Sequence, residues 1–315
     1  MMNFPENLVL NSDISDLHEP VLLKEVLEYL RPEDGGIVVD ATLGMGGHSQ
    51  AILERYPKIS CLIGMDRDGE ALELAAQRLE PWRRKVALFH ANFADMADML
   101  EAEGIRQVDA VLVDLGISSY QLEQSGRGFS FRKDEPLDMR MDRFSSIMAA
   151  DLVNQLPKEK LEELIFTYGE ERWAAKIASA IEAARQKGPI LTSRELAEIV
   201  ERAIPRRFHP KRIHPATKTF QAVRIAVNRE FENLKKALDE VPGILKPGGR
   251  FLVISFHSLE DRLVKQAFRN DPRLRVITKR PVKPAAAETA ANPRARSAKL
   301  RVAERLAGAG AEAQT

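Results

Sequence analysis

The segment VVDATLGMGGHS, residues 38–49, decides the fold class of this chain. It continues a short apolar run that ends in Asp40, which is typical of a buried strand. Gly44, Gly46 and Gly47 follow in a loop that leads into a helical pattern. Glycines in such a loop let the backbone approach a ligand closely because no Cβ stands in the way. The segment therefore predicts a strand, a ligand-binding loop and a helix.

Strand and helix patterns alternate on both sides of this segment. The apolar runs predict strands at 37–41, 61–66, 86–90, 109–114, 250–256, 274–278 and 298–302. Helical patterns at 48–56 and 69–79 separate the first three, and a longer one at 216–241 precedes the LKPGG turn before the fifth. This alternation predicts an α/β fold with a mostly parallel seven-stranded sheet covered by helices on both faces.

A long stretch without strand patterns interrupts the alternation. From about Leu115 to His214 the sequence has only loops and helical patterns, whereas a loop between a strand and a helix normally takes about 2–6 residues. We therefore predict a discontinuous core, residues 1–117 and 214–315, and an inserted helical domain at 118–213.

Acidic residues stand where the predicted strands end, which is where ligands bind in an open parallel sheet. Asp66 ends the second strand, in the place where a carboxylate can accept hydrogen bonds from a ribose, and Phe93 after the third strand is suited to flank an adenine. The dinucleotide fingerprint G-x-G-x-x-G fails because position 49 is Ser. Asp40 and Asp114 on either side of the Gly44–Gly47 loop favour a cationic sulfonium ligand, S-adenosylmethionine, over a pyrophosphate.

Five motifs carry a resemblance to a known family. In chain order they are VVDATLGMGGHS, VDLGISSYQL, HPATKTFQAVRIAVNRE, LKPGGRFLVISFHSLEDR and NPRARSAKLRVAER. Together they resemble the MraW family of bacterial small-subunit ribosomal RNA cytosine-N4 methyltransferases. The resemblance implies a Rossmann-like class I methyltransferase core with an inserted substrate-recognition domain. It also implies N4-methylation of one cytidine in the decoding region of 16S rRNA within the small subunit. By similarity, the residues that contact S-adenosylmethionine are Gly46, Gly47, His48, Asp66, Phe93, Asp114 and Gln121.

Four residues are candidates for the chemistry of the transfer. We expect Asp114, with Ser118 or Ser119, to accept hydrogen bonds from the cytosine amino group. The alternative interpretation makes Asp114 a cofactor contact and the serines caps of a loop. His257 follows the fifth core strand, where a catalytic role and a capping role for the next helix both stay open.

Clusters of basic residues in the second half of the chain indicate either a nucleic-acid partner or the solvated face of an ordinary enzyme. Candidates for holding RNA phosphates are Arg206, Arg207, Lys211, Arg212, Lys218, Arg294, Arg296, Lys299 and Arg301. Tyr168 and Trp173 in the insertion have the aromatic rings that could stack on bases, but their helical spacing favours a place in the core of that domain.

Composition narrows the class of protein further. The 315 residues carry a net charge of only +1 and a single cysteine, Cys61, so we expect no disulfide framework. No secretory pattern and no long apolar run is present, which favours the cytoplasm. Scattered histidines predict no metal site. A DNA amino-methyltransferase, a non-catalytic RNA-binding assembly protein and a nicotinamide oxidoreductase are the alternatives, and whether the chain forms a homodimer is left open.

Overall fold

The computed structural model describes residues 20–32, 34–211 and 213–308. The chain divides into two compact units. Among the described residues, the first unit extends up to Gly116 and resumes at Glu232, and the second unit is Ile117–Phe231.

A single sheet forms the centre of the first unit. Its strands are β1 (Ile37–Asp40), β2 (Cys61–Asp66), β3 (Val86–His90), β4 (Val108–Asp114), β5 (Leu245–Ser255), β6 (Leu274–Val276) and β7 (Lys299–Arg305). The strand order is β3-β2-β1-β4-β5-β7-β6. β1 to β5 pair in parallel, and β7 runs antiparallel to both β5 and β6. This confirms the predicted α/β fold with a mostly parallel seven-stranded sheet.

Helices cover both faces of this sheet. In the first unit they are α1 (Leu23–Leu30), α2 (Gly47–Arg55), α3 (Gly69–Leu79), α4 (Met96–Ala102), α11 (Glu230–Ile244, which begins in the second unit), α12 (Ser258–Asn270) and α13 (Ala286–Ala291). Successive strand residues point to opposite faces, so Val38 packs with α1, α2 and α3 while Val39 packs with α4, α11 and α12. Two apolar layers therefore fix the strands, and the strand ends stay free to carry polar side chains.

The second unit is helical, as the absence of strand patterns between 115 and 214 predicts. Its helices are α5 (Ser119–Glu123), α6 (Ala149–Gln155), α7 (Lys158–Gly169), α8 (Ala174–Arg185), α9 (Ser193–Ala203) and α10 (Thr217–Asn228). They enclose a separate apolar core to which α7, α8, α9 and α10 all contribute buried residues.

The single helix predicted at 216–241 is wrong. Arg229 adopts a left-handed conformation with φ of 50° and separates α10 from α11. The apolar face of α10, with Phe220, Val223 and Val227, belongs to the core of the second unit. The second unit therefore ends at Phe231, whereas the sequence pattern places the end of the insertion at 213.

The LKPGG segment forms a bulge at the start of β5 instead of a turn before it. Val108 of β4 pairs with Leu245, and the next pair joins Ala110 to Arg250. The residues between these two pairs leave the regular register, and Gly248 takes a left-handed φ of 80°. The following residues of β5 then pair regularly with β4 as far as Asp114.

Candidate functional site

The candidate site lies at the carboxyl ends of the parallel strands in the first unit. The chain runs outward from β1 to β3 and returns to pair β4 with β1 on its other side. The strand order thus reverses between β1 and β4, and in open parallel sheets ligands bind at such a point. Asp40 and Asp114 end these two strands.

The glycine loop is tied to the end of β2. The N–H of Gly44 donates to Asp66 Oδ2 at 2.8 Å, and the N–H of Asp68 donates to Asp66 Oδ1 at 2.9 Å. Gly44 and Gly46 have φ angles of 52° and 77°, which residues with a Cβ rarely adopt. A Cβ on Gly44 would meet no atom within 4 Å, so the loop backbone faces open space there. Asp66 therefore positions the loop as well as ending β2.

Asp40 is buried at the end of β1 and accepts a hydrogen bond from the Ser49 hydroxyl at 2.7 Å. Burial raises the pKa of Asp40 to about 6, against the lowering effect of that hydrogen bond. Thr42 joins the two central strands, because its Oγ1 accepts from the N–H of Asp114 at 2.6 Å. The sequence pattern did not single out Ser49 or Thr42 as parts of the site.

Asp114 has an unusual environment for a carboxylate. Its Oδ1 is buried and has no hydrogen-bond partner among the described residues. Burial raises the pKa of Asp114 well above its usual range, and the charges of Asp40 and Glu260 raise it further. An acid of this kind is stabilised by a cation or a hydrogen-bond donor, and such perturbed acids cluster at functional sites.

His48 faces Asp114 from the first turn of α2. Its Nδ1 lies 3.8 Å from Asp114 Oδ2, and its Nε2 lies 2.9 Å from the carbonyl oxygen of Val21. Burial lowers the pKa of His48 to about 4, so the ring is neutral at pH 7. A neutral ring that donates from Nε2 to a carbonyl carries its lone pair on Nδ1, on the side of Asp114.

His257 is the N-cap of α12, as the capping interpretation predicts. Its Nδ1 accepts from the N–H of Glu260, and Glu260 Oε2 accepts from the N–H groups of Phe256 and His257. Glu260 is buried, with 2% of its surface exposed, and its charge acts on Asp114. Glu260 is thus a third acid of the site, which sequence inspection missed because His257 stands where the capping-box pattern has Ser or Thr.

Phe93 begins a short 3₁₀ turn after β3 and is buried in the core beside the sheet. Asn92 caps this turn, because its side-chain oxygen accepts from the N–H of Ala94 at 3.0 Å. The ring is therefore held in place at the carboxyl end of β3.

Ser118 and Gln121 lie in the second unit, where they form a capping box at the start of α5. Ser118 Oγ accepts from the N–H of Gln121, and Gln121 Oε1 accepts from the N–H of Ser118, both at 3.1 Å. Ser118 is thus a cap, as the alternative interpretation expects. The side chain of Ser119 lies outside the described part of the structure.

The basic residues selected from the sequence differ in their surroundings. Arg206, Arg207, Lys211 and Arg296 are exposed, Arg294 is partly exposed, and Arg212 lies outside the described residues. Lys218 donates to the carbonyl oxygen of Glu170 at 2.7 Å. Asp261 lies 3.5 Å from Lys299 and 2.6 Å from Arg301.

The expectation that Arg301 binds phosphate is wrong. Only 6% of its surface is exposed, and its Nε donates to Asp261 Oδ1 at 2.6 Å. Position 301 lies on β7, whose residues alternate between two faces, and charge counting along the sequence does not distinguish those faces.

The two aromatic residues of the insertion contribute to the packing of the second unit. Tyr168 meets the ring of Phe231 edge to face, with ring centroids 5.4 Å apart. Trp173 is partly buried against the apolar core, and its ring centroid lies 5.1 Å from that of Phe208. Both observations fit the core interpretation, and Trp173 also reaches an exposed aromatic neighbour.

The residues of the first unit fit S-adenosylmethionine on two counts. Asp114 Oδ1 has no hydrogen-bond partner among the described residues, and the charges of the buried acids Asp40 and Glu260 act on this carboxyl, which suits a sulfonium cation. The loop backbone at Gly44 faces open space and can approach a ligand. In the part of the chain that the structure describes, three or more His, Cys, Asp and Glu side chains nowhere gather as metal ligands would.

The described helices include none with the length and apolar character that spanning a bilayer requires.

The fold and the site define a Rossmann-like S-adenosylmethionine-dependent methyltransferase, with parallel strands β1 to β5, an antiparallel β7, a glycine loop after β1 and acids at the strand ends. The chain belongs to the MraW methylase family, whose model matches residues 15–306. S-adenosylmethionine is its cofactor.

Two relatives are named ribosomal RNA small subunit methyltransferase H. The one from Desulfotalea psychrophila is 49% identical over 294 residues, which covers 93% of this chain and 100% of the relative. The one from Trichlorobacter lovleyi is 50% identical over 307 residues and covers 92% and 98%. The solved structure of an rRNA methylase from Streptococcus thermophilus is 11% identical, with a TM-score of 0.42 over 90% of this chain and 94% of that chain.

Proposed function

We propose that this protein transfers a methyl group from S-adenosylmethionine to the exocyclic N4 of a cytidine in the decoding region of 16S rRNA. The observation that carries the proposal is Asp114 Oδ1, a buried carboxylate oxygen without a partner among the described residues, at the end of the strand next to the glycine loop. The relatives that are named small-subunit rRNA methyltransferases support the choice of RNA.

The cofactor would be held by the loop and by the strand ends of the first unit. In this proposal Asp66 accepts hydrogen bonds from the ribose hydroxyls, and Phe93 flanks the adenine. The backbone of Gly46 and Gly47 and the amino end of α2, which has no side-chain cap, would hold the carboxylate of the methionine part. Bound there, the cofactor supplies an electrophilic methyl group on a positively charged sulfur.

The cytosine amino group is a poor nucleophile, because its lone pair is delocalised into the ring. A carboxylate that accepts a hydrogen bond from the amino protons localises this lone pair and stabilises the positive charge that develops on nitrogen. We assign this role to Asp114. Ser118 Oγ already accepts from Gln121, and His257 caps α12, so we assign both of them supporting roles.

The charge state of Asp114 depends on what lies beside it. Burial and the neighbouring acids favour its protonated form in the free protein. A cation in the pocket favours the carboxylate form, which is the form that accepts from the amino group. The same carboxylate can take up the proton that the amine loses after methylation, while the neutral His48 ring keeps its lone pair toward Asp114.

Contacts to RNA phosphates would come from the exposed basic residues. We retain Arg206, Arg207, Lys211 and Arg296 as such contacts because their side chains are exposed. Each contact of this kind makes binding salt-dependent without reading the sequence. A ribosomal substrate places the protein in the cytoplasm.

Transfer of a tritiated methyl group from S-adenosylmethionine tests the proposal. The purified protein is incubated with small ribosomal subunits from cells that lack this protein and, separately, with duplex DNA. We expect label in 16S rRNA and none in DNA. Label in DNA alone would support a DNA amino-methyltransferase instead. Intact cofactor binding without any transfer would support a non-catalytic assembly protein.

A further inference from the structure

A cluster of aromatic and basic side chains lies on the second unit and brings Trp173 and Arg207, which are far apart in the sequence, into contact with the same neighbours. The cluster lies where the start of α8 meets the 3₁₀ turn after α9. We call it the cation–aromatic cluster, and its members are Arg172, Trp173, Lys176, Arg207 and Phe208. The Trp173 and Phe208 rings are 5.1 Å apart at their centroids.

Each cation of the cluster lies over a ring. Arg172 Cζ is 5.4 Å from the Trp173 centroid and 5.2 Å from the Phe208 centroid. Lys176 Nζ is 4.9 Å from the Trp173 centroid, and Arg207 Cζ is 4.8 Å from the Phe208 centroid. These are cation–π distances. Trp173 packs inward on the apolar core, whereas 37% of Phe208 is exposed, so Phe208 presents ring surface to a partner.

The three cations of the cluster form no salt bridge among the described residues. The chain as a whole has 47 basic and 46 acidic residues, but the structure gives Arg172, Lys176 and Arg207 no carboxylate partner among the described residues. Arg172 and Arg207 share one ring and lie within about 10 Å of each other, a distance at which salt at 0.1 M screens like charges only in part. An anionic partner would relieve their repulsion.

We propose that the cation–aromatic cluster is a binding site for a single-stranded RNA segment, in which a base stacks on Phe208 and the flanking phosphates contact Arg172, Lys176 and Arg207. This inference rests on the proposed function for the choice of RNA as substrate. Every nucleobase has a π face that stacks on an aromatic ring or a guanidinium plane, and its phosphates require cations on both sides. An acidic protein segment would match the charges but would leave the exposed ring without a stacking partner.

Binding of an end-labelled oligouridine strand over a salt series tests the site. The variants are Phe208→Leu, which keeps apolar bulk against Trp173, and Arg172→Gln and Lys176→Gln. Matched controls in the same unit are Phe166→Leu, an exposed ring on α7 over which no cation of the described residues lies, and Arg194→Gln, at the far end of α9 from Phe208.

Stacking and phosphate contacts give different results in this experiment. We expect Phe208→Leu to weaken binding at least about fivefold at every salt concentration and to leave the salt slope unchanged. We expect Arg172→Gln and Lys176→Gln to weaken binding and to reduce the slope by about 0.7 each. We expect Phe208→Trp, which keeps an aromatic ring at this position, to bind oligouridine with the affinity of the wild-type protein. The proposed site is refuted if Phe208→Leu changes the affinity no more than Phe166→Leu does. It is also refuted if the two cation variants change the affinity and the salt slope no more than Arg194→Gln does.

Methyl transfer by the same variants separates this inference from the proposed function. We expect Phe208→Leu to raise KM for the small subunit, with kcat and the affinity for S-adenosylmethionine unchanged. If the wild-type protein methylates 16S rRNA and Phe208→Leu leaves KM unchanged, the RNA-binding role of the cluster is refuted and the proposed function stands. Failure of the wild-type protein to methylate 16S rRNA would refute the proposed function. If Phe208→Leu weakens binding to the intact subunit but not to protein-free RNA, the cluster contacts a ribosomal protein, and the proposed RNA site is refuted.

Discussion

The chemistry at the residue scale depends on three acids, two at strand ends and one in a helix, whose charges act on one another. Asp40, Asp114 and Glu260 are held by different elements, β1, β4 and α12. Asp40 and Glu260 accept hydrogen bonds from the protein, whereas Asp114 Oδ1 does not within the described residues. Asp114 is therefore the acid with a free oxygen to offer to a substrate.

Replacement of Asp114 by Asn tests this assignment. Asn keeps the shape but loses the charge, and we expect the rate of methyl transfer to fall roughly 100-fold or more, as when a single charge-stabilising group is removed from an active site. We expect the dissociation constant for S-adenosylmethionine to change only a few-fold. The control is Asp34→Asn, at an exposed aspartate of the same unit. A large loss of cofactor affinity at unchanged single-turnover rate would leave Asp114 as a cofactor contact without a catalytic role.

The raised pKa values predict a pH dependence of cofactor binding. Burial raises the pKa of Asp40 to about 6 and that of Asp114 well above its usual range. Each acid is therefore more than half protonated at any pH below its own pKa. A sulfonium favours their charged forms, so its binding releases protons and its affinity rises as pH increases through these pKa values. S-adenosylhomocysteine has no charge on sulfur and should show a weaker dependence.

Calorimetric titration of both ligands between pH 5 and pH 8 measures this difference. We expect the ratio of the two affinities to shift toward S-adenosylmethionine as pH rises, with a smaller shift in Asp114→Asn. Parallel pH profiles for the two ligands would contradict a pocket that recognises the cation through buried acids.

Sequence inspection identified Asp40, Asp66 and Asp114 because a strand that ends in an acid is visible as an apolar run followed by a charge. Glu260 and Arg301 show what such inspection misses. Glu260 lies inside a helix, and its effect on Asp114 depends on how α12 packs against the sheet. Arg301 was selected for its charge, but its side chain is buried and paired with Asp261. Both depend on tertiary packing, which local patterns do not encode.

At the scale of elements, close contact between α7 and α10 organises the second unit. Gly169 ends α7, and a Cβ there would lie 2.8 Å from the carbonyl oxygen of Lys218 in α10. Two further bonds join these segments, from Lys218 Nζ to the carbonyl of Glu170 and from Gln221 Nε2 to the carbonyl of Tyr168. The small residue lets the two helices pack at this distance.

We expect Gly169→Ala to lower the free energy of unfolding of the second unit by about 1–3 kcal/mol, because backbone has to shift to make room. The matched control is Gly188→Ala, where a Cβ would meet nothing within 4 Å and φ is not in the left-handed region. Urea unfolding followed by circular dichroism measures both variants. Equal free energies of unfolding in the two variants would show that α7 and α10 can move apart by enough to admit a methyl group without loss of stability.

The elements were predictable where their patterns are unambiguous. The strands at 61–66 and 86–90 and the helix at 69–79 occur with the predicted bounds, because each is a continuous apolar or periodic run with a turn on either side. The break between α10 and α11 was not predictable, because the apolar period continues through it and Arg229 is neither Gly nor Pro. Only the two separate cores explain why the chain turns there.

At the scale of the whole molecule, the chain assigns different tasks to its two units. The first unit carries the glycine loop and the acids, and the second carries the cation–aromatic cluster and the exposed arginines around Phe208. The net charge of +1 conceals the local excess of cations in the cation–aromatic cluster, because acids and bases balance over the chain as a whole. The architecture was predictable because strand and helix patterns are local, whereas the end of the insertion depends on which core α10 joins.

The identity of the modified atom tests the central claim most directly. Small subunits from cells without this protein are incubated with the purified protein and S-adenosylmethionine, and the nucleosides of their 16S rRNA are separated and measured by mass spectrometry. We predict that N4-methylcytidine increases with the wild-type protein and does not increase with Asp114→Asn. A methyl group on a ring carbon or on the ribose, or no new methylated nucleoside at all, would contradict the account.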